Sequence, residues 1–152
     1  MIGSKTAFAK NTELWTDHAF GYTYDVPSMN ITENGYTIED YGHQNLPGSA
    51  FISEDEPVSY ASIYGQDSGE IIFDTGKTDK KNILIIGESY DNAILKLIAS
   101  HYNKTISIDL RSYDYMMNQT FDFSSYLTKY DIDTVLLIGN VDYFLNTKFN
   151  VE

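Results

Sequence analysis

The residues best equipped for covalent chemistry lie in Gly87-Glu88-Ser89-Tyr90-Asp91-Asn92, directly after the apolar run Asn82-Ile-Leu-Ile-Ile. A serine between a buried strand and a helix presents its hydroxyl at the sheet edge, where its own backbone N–H can bind an oxyanion. The competing account of Ser89 is a plain helix N-cap. A serine nucleophile needs a base, and Asp40-Tyr-Gly-His43 offers an imidazole three residues after a carboxylate. There the histidine would deprotonate the serine and the aspartate would fix its tautomer. This pair precedes Ser89, which the chemistry allows, since triads occur in unrelated chain orders. An exposed turn is the other account of Asp40 and His43, whereas Asp17 and His18, in Trp15-Thr-Asp17-His18, read as a surface or packing pair. Asn140 supplies either a second oxyanion donor or a turn residue after a strand. Arg111, the sole arginine, either binds substrate or pairs with surrounding acids to order a loop.

The composition limits what this chemistry can serve. The 152 residues allow one domain, or one with a sizeable appendage, and a 42% hydrophobic share supports a buried core. A net charge of −12 repels phosphate backbones, which argues against nucleic acid as a partner. Cysteine is absent, so disulfides and thiolate chemistry are excluded. The three histidines and the carboxylates form no tight ligand cluster, so neither a metal nor another cofactor is expected. No apolar run reaches the length of a membrane span, and Met1-Ile2-Gly3-Ser4-Lys5 lacks the apolar stretch of a secretory signal.

Two regions with different patterning must position these residues. Residues 1–76 hold 12 acids against two bases and are punctuated by Pro27, Asn34-Gly35, Gly42, Pro47-Gly48, Pro57, Gly65, Gly69 and Gly76. They read as a loop-rich, β-rich acidic segment, with a hairpin from Val58–Tyr64 through Gly65–Gly69 into Glu70–Phe73. Its tyrosines Tyr22, Tyr24, Tyr36, Tyr41, Tyr60 and Tyr64 either stack on sugar rings or serve as core and surface aromatics. Residues 77–152 alternate strand and helix patterns. Asn82–Gly87 and Asp133–Gly139 are continuous apolar runs, as in strands covered on both faces, and Thr105–Leu110 lies between them. Ile94, Leu97, Ile98 and His101 share one face of a helix beginning at Asp91, with His101 on the core side. Phe123, Tyr126, Leu127 and Tyr130 repeat that spacing behind a cap at Asp122. The β-α-β-α-β order predicts an α/β fold with a short parallel sheet, with reactive groups gathered beyond the strands' carboxyl ends.

Leu84–Asn92 resembles the Gly-Asp-Ser nucleophile block of the SGNH hydrolase superfamily, with Glu88 in place of the aspartate. Ile108-Asp-Leu-Arg111 and Val135-Leu-Leu-Ile-Gly139-Asn140 resemble the carboxyl-terminal part of its DHHW branch, bacterial relatives of the alginate O-acetylation proteins. The resemblance covers roughly residues 58–143, and the upstream Asp-His-His-Trp motif of the branch is not found. It implies a flavodoxin-like sheet and a serine esterase or O-acyltransferase acting on acylated envelope carbohydrate or a small ester. Ser89 would be the nucleophile, with its own N–H and Asn140 at the oxyanion, and the cell envelope would be the compartment. The alternative is a non-catalytic or truncated module of the same fold that binds carbohydrate or a protein partner. If upstream elements of the family are absent, uncovered strand edges and helix faces in residues 82–139 invite a homo-oligomer.

Overall fold

The computed structural model of the protein describes residues 25–39, 41, 64 and 67–146. Two compact units divide the chain, residues 1–25 with 41–66 and residues 26–40 with 67–152. Of the first unit, Asp25, Tyr41 and Tyr64 are described. Asp17, His18, Asp40 and His43 lie outside the described residues, as does the first arm of the expected hairpin apart from Tyr64.

The second unit is built on one six-stranded sheet. Its strands are β1 (Asn30–Glu33), β2 (Tyr36–Ile38), β3 (Glu70–Asp74), β4 (Ile83–Ile86), β5 (Lys104–Ile108) and β6 (Thr134–Leu137), in the order β2-β1-β3-β5-β4-β6. The expected parallel sheet is its carboxyl-terminal half: β4 lies between β5 and β6 and runs parallel to both. The other half is antiparallel, because β3 pairs with β5 on one edge and with β1 on the other. This corrects the expected hairpin, since both edges of Glu70–Phe73 are already taken. The tight hairpin joins β1 to β2 through Asn34-Gly35, whose φ angles of +49° and +82° suit the right-handed twist of the flanking strands. Asn34 also ties this turn to the start of β3: its side-chain oxygen accepts from the N–H groups of Gly69 at 2.9 Å and Glu70 at 3.1 Å.

Four short helices follow, α1 (Leu95–Ala99), α2 (Tyr113–Met117), α3 (Phe123–Lys129) and α4 (Val141–Asn146). Side chains alternate across a strand, so Leu84, Ile86, Ile106 and Ile108 share one face. There they pack with Tyr113, Phe121, Tyr126 and Tyr143 from the segments after β5 and β6. On this face the Tyr126 hydroxyl bonds the buried Glu70 carboxylate and lies 2.8 Å from the Tyr113 hydroxyl. Asp122 caps α3 as its sequence predicts. The Ser125 N–H and hydroxyl, both at 2.9 Å, hold its carboxyl below the usual range.

Helix α1 departs from the expected pattern. It begins at Leu95 rather than Asp91, and Leu95 and Ala99 are its buried apolar residues, in line with the buried Asp91 that precedes it. Ile94 and Leu97 are 40% and 43% exposed, and His101 is exposed rather than on the core side. The buried stripe is offset by one residue because Asp91 and Asn92 enter the interior, which the apolar spacing did not anticipate. Strand β6 is a second correction. It is an edge strand of the sheet covered on one face only, with Val135 40% and Leu137 56% exposed, rather than buried throughout.

A Cβ at Gly35 would touch nothing within 4 Å, so the cost of replacing this residue is confined to its positive φ. Gly35→Ala is expected to destabilise the protein by about 1 kcal/mol. In urea this would lower the unfolding midpoint with an unchanged m-value.

Candidate active site

The site is assembled where the three parallel strands end. Beyond β4 come Gly87, Glu88 and Ser89; beyond β5, Asp109 and Arg111; beyond β6, Gly139 and Asn140. Since β4 is central, its outgoing loop lies at the point where the chain turns first to one neighbour and then to the other. In open α/β sheets that is where ligands bind.

Glu88 ties the three loops together. It is 5% exposed; its Oε1 accepts from the Asn140 backbone N–H at 2.8 Å, and its Oε2 lies 3.4 Å from Arg111 Nη1. Arg111 is held by three carboxylates. Its Nε donates to both oxygens of Asp109, at 3.0 and 3.1 Å, and its Nη2 to Asp67 at 2.9 Å. Asp109 first, then Asp67 and Glu88, hold the guanidinium pKa above its ordinary value. Arg111 therefore neutralises and orders the loops, and its carbon Cζ stands 5.9 Å from the ring centre of Tyr143. Burial raises the Tyr143 hydroxyl's pKa, and that hydroxyl accepts from the Leu110 N–H at 3.1 Å.

Ser89 is half-buried in the turn before α1, and its hydroxyl has no hydrogen bond to a described residue. It does not cap α1, whose N-cap position is Ile94. The turn is wound by the Asp91 N–H bonding the Glu88 carbonyl at 2.9 Å, and by the Ile94 and Leu95 N–H groups bonding the Asp91 carbonyl at 2.8 and 3.1 Å. Asn140 caps α4, its side-chain oxygen accepting from the Tyr143 N–H at 2.8 Å. That bond fixes the amide plane and leaves Nδ2 without a partner among the described residues. Asn140 faces an open pocket of about 460 Å³ together with Glu88, Leu110, Arg111, Asp142, Tyr143 and Asn146. The one described histidine, His101, follows the carboxyl end of α1, whereas Ser89 precedes its amino end.

Of the residues singled out in the sequence, Ser89, Arg111 and Asn140 thus converge on the carboxyl ends of β4, β5 and β6. Asp67, Glu88, Asp91 and Asp109 join them, and no apolar periodicity marks these four. The available signal was an excess of acids beside a single arginine. Among the described residues no group of three or more histidine, aspartate or glutamate side chains is arranged to hold a metal. None of the described helices is long and apolar enough to cross a membrane.

No protein-family model and no curated protein sequence matches the chain. Solved structures do. Bacillus cereus PatB1 with a sulfonyl adduct superposes with a TM-score of 0.58 and 21% identity, over 82% of this chain and 39% of its own. PatB1 in a second structure gives 0.57 and 21%, over 82% and 38%. The chain shares the fold of the matched part of PatB1. A DHHW family protein from Eubacterium siraeum DSM 15702 gives 0.47 and 20%, over 82% and 39%. The chain spans about two fifths of the length of these solved structures.

Two substitutions probe the architecture. A Cβ at Gly87 would fall 1.9 Å from Asp91 Oδ2, so Gly87→Ala is expected to cost about 2 kcal/mol, and Gly87→Ala with Asp91→Ala to lose less than the sum of the two. Glu88→Ala leaves the Asn140 N–H without its acceptor and is expected to cost about 2 kcal/mol, with Glu88→Gln milder. Denaturant unfolding of the single and double variants measures both.

Proposed function

We propose that this chain carries the nucleophile of an SGNH-like serine acyl-transfer protein, with Ser89 taking the acyl group from an acylated carbohydrate or small ester. The observation that carries this reading is the position of Ser89: its hydroxyl is free of described partners, directly beyond the central parallel strand, in a turn fastened on both sides. The resemblance of Leu84–Asn92 to the superfamily's nucleophile block and the fold shared with PatB1 support it.

In this reading Oγ of Ser89 attacks the ester carbonyl, forming a carbon–oxygen bond as its proton passes to a base. The ester's alkoxide leaves as the alcohol, taking that proton. Water, or a carbohydrate hydroxyl, then attacks the acyl-serine and restores the free hydroxyl. His43, oriented by Asp40, is the base we assign from the sequence. The Ser89 N–H and Asn140 Nδ2 stabilise the tetrahedral oxyanion, one such donor being worth about 10²–10³ in rate. The pocket beside Glu88 receives the carbohydrate. Its amides from Asn140 and Asn146 and its acids Glu88 and Asp142, against a cation already held by three carboxylates, favour neutral or cationic sugars over acidic ones.

A serine-directed sulfonyl fluoride tests the mechanism. Phenylmethanesulfonyl fluoride is expected to label Ser89 by mass spectrometry, with no label in Ser89→Ala and slower labelling in His43→Ala. Asn140→Ala is expected to lower kcat for an aryl acetate about 10²-fold. Acetate release that survives Ser89→Ala would eliminate the serine mechanism. An unlabelled but folded protein that binds carbohydrate would establish the non-catalytic reading instead.

A further inference from the structure

Asp91 is the buried titratable group for which the acyl-transfer chemistry has no use. Its residue is 2% exposed, and its Oδ2 has no hydrogen-bond partner among the described residues. That oxygen rests on Gly87, where only the absence of a Cβ leaves room for it. The Ser107 side chain on β5 favours the charged carboxyl, whereas Asp109 and Asp67 act on it as like charges. Tyr143 also lies within electrostatic reach, and Glu88 lies three residues earlier on the same segment. The Arg111 guanidinium is engaged by Asp109, Asp67 and Glu88, and a buried cation of this region, Lys96, stands on α1 five residues after Asp91. Three carboxylates therefore hold the guanidinium, and Asp91, within electrostatic reach of two of them, does not bond it.

An ionised carboxylate without water, cation or full hydrogen bonding is the costly state of such a group, and the neutral acid is the one that fits. We propose that Asp91 is a positioning residue that holds the Ser89 turn in its neutral form, so that the turn tightens as the pH falls and loosens as it rises. For the carboxylate to reach water it must withdraw from Gly87, which opens the bonds from the Asp91 N–H to Glu88 and from the Leu95 N–H to Asp91. Burial, then Asp109 and Asp67, push the carboxyl up to about 7 from an ordinary 3.8. A raised folded-state value means that the folded turn binds more protons than the opened one. The stabilisation is complete below the ordinary value, declines as the pH rises, and has been lost once the pH passes about 7. The titration is independent of the acyl-transfer reading; only its bearing on Ser89 rests on that reading.

Amide hydrogen exchange on the full chain tests this. Protection factors at Asp91, Ile94 and Leu95, corrected for intrinsic exchange, are expected to fall about tenfold per pH unit from 5 to 7 and to level off above. Asp91→Asn, which keeps the shape of the neutral acid and cannot ionise, is expected to give a flat profile; subtracting it also removes any contribution from His101. Asp67→Asn, which removes one like charge, is expected to move the levelling-off to lower pH. Parallel profiles for the wild type and Asp91→Asn would overturn the proposal. If Asp91→Asn does not fold, an unchanged levelling-off in Asp67→Asn would overturn it. A sulfonyl label absent from Ser89 despite the expected exchange profiles would sink the acyl-transfer reading and leave this inference standing.

Discussion

One arginine among carboxylates organises the carboxyl-terminal end of this sheet. Asp109 and Arg111 share a loop, Asp67 reaches them from the segment before β3, and Glu88 from the loop after β4. Without the guanidinium, three acids would converge at a few ångströms in a partly desolvated space, where like charges repel far more strongly than in water. Glu88 carries the constraint onward to Asn140, so the loops after β4, β5 and β6 are held in one arrangement. The start of the turn bearing Ser89 is anchored through Glu88 as a consequence, and so is the backbone N–H of Asn140.

The sheet beneath follows from two different folding rules. Its parallel half needs helices as crossovers, and these occupy residues 95–129 between β4 and β6. Its antiparallel half needs only a tight turn, and Asn34-Gly35 supplies one at the far edge. The strand between them, β3, is paired on both sides and carries Glu70, whose carboxylate meets the Tyr126 hydroxyl below the parallel half. Burial first, and then this carboxylate, raise the Tyr126 hydroxyl's pKa, so it stays a donor. The two halves of the sheet are thus joined by polar as well as apolar contacts.

Much of the architecture was legible because it rests on local patterns. The strands at 83–86, 104–108 and 134–137, the helix behind Asp122 and the β-α-β-α-β order all follow from runs of apolar residues and one cap. Where the pattern misled, a polar residue had entered the interior or a strand had lost a neighbour. Asp91 and Asn92 displaced the buried stripe of α1 by one position, and β6 has the composition of a buried strand but lies at an edge. Pairing of Glu70–Phe73 with β1 and β5 joins segments far apart in the chain, and nothing local distinguishes that from a hairpin with an adjacent run.

The α/β class, the parallel strands with their helices, and the candidacy of Ser89, Asn140 and Arg111 could be read from the amino-acid order. Each of these depends on residue type and on spacing over a few positions. That Arg111 is shared among three carboxylates, that Glu88 bridges three loops, and that Asp91 is sealed against Gly87 near two like charges emerges once the chain is folded. Those relations join residues as far apart as Asp67 and Arg111 or Glu88 and Asn140. The charge on a side chain is written in the sequence, but the charges it must live beside are chosen by the fold.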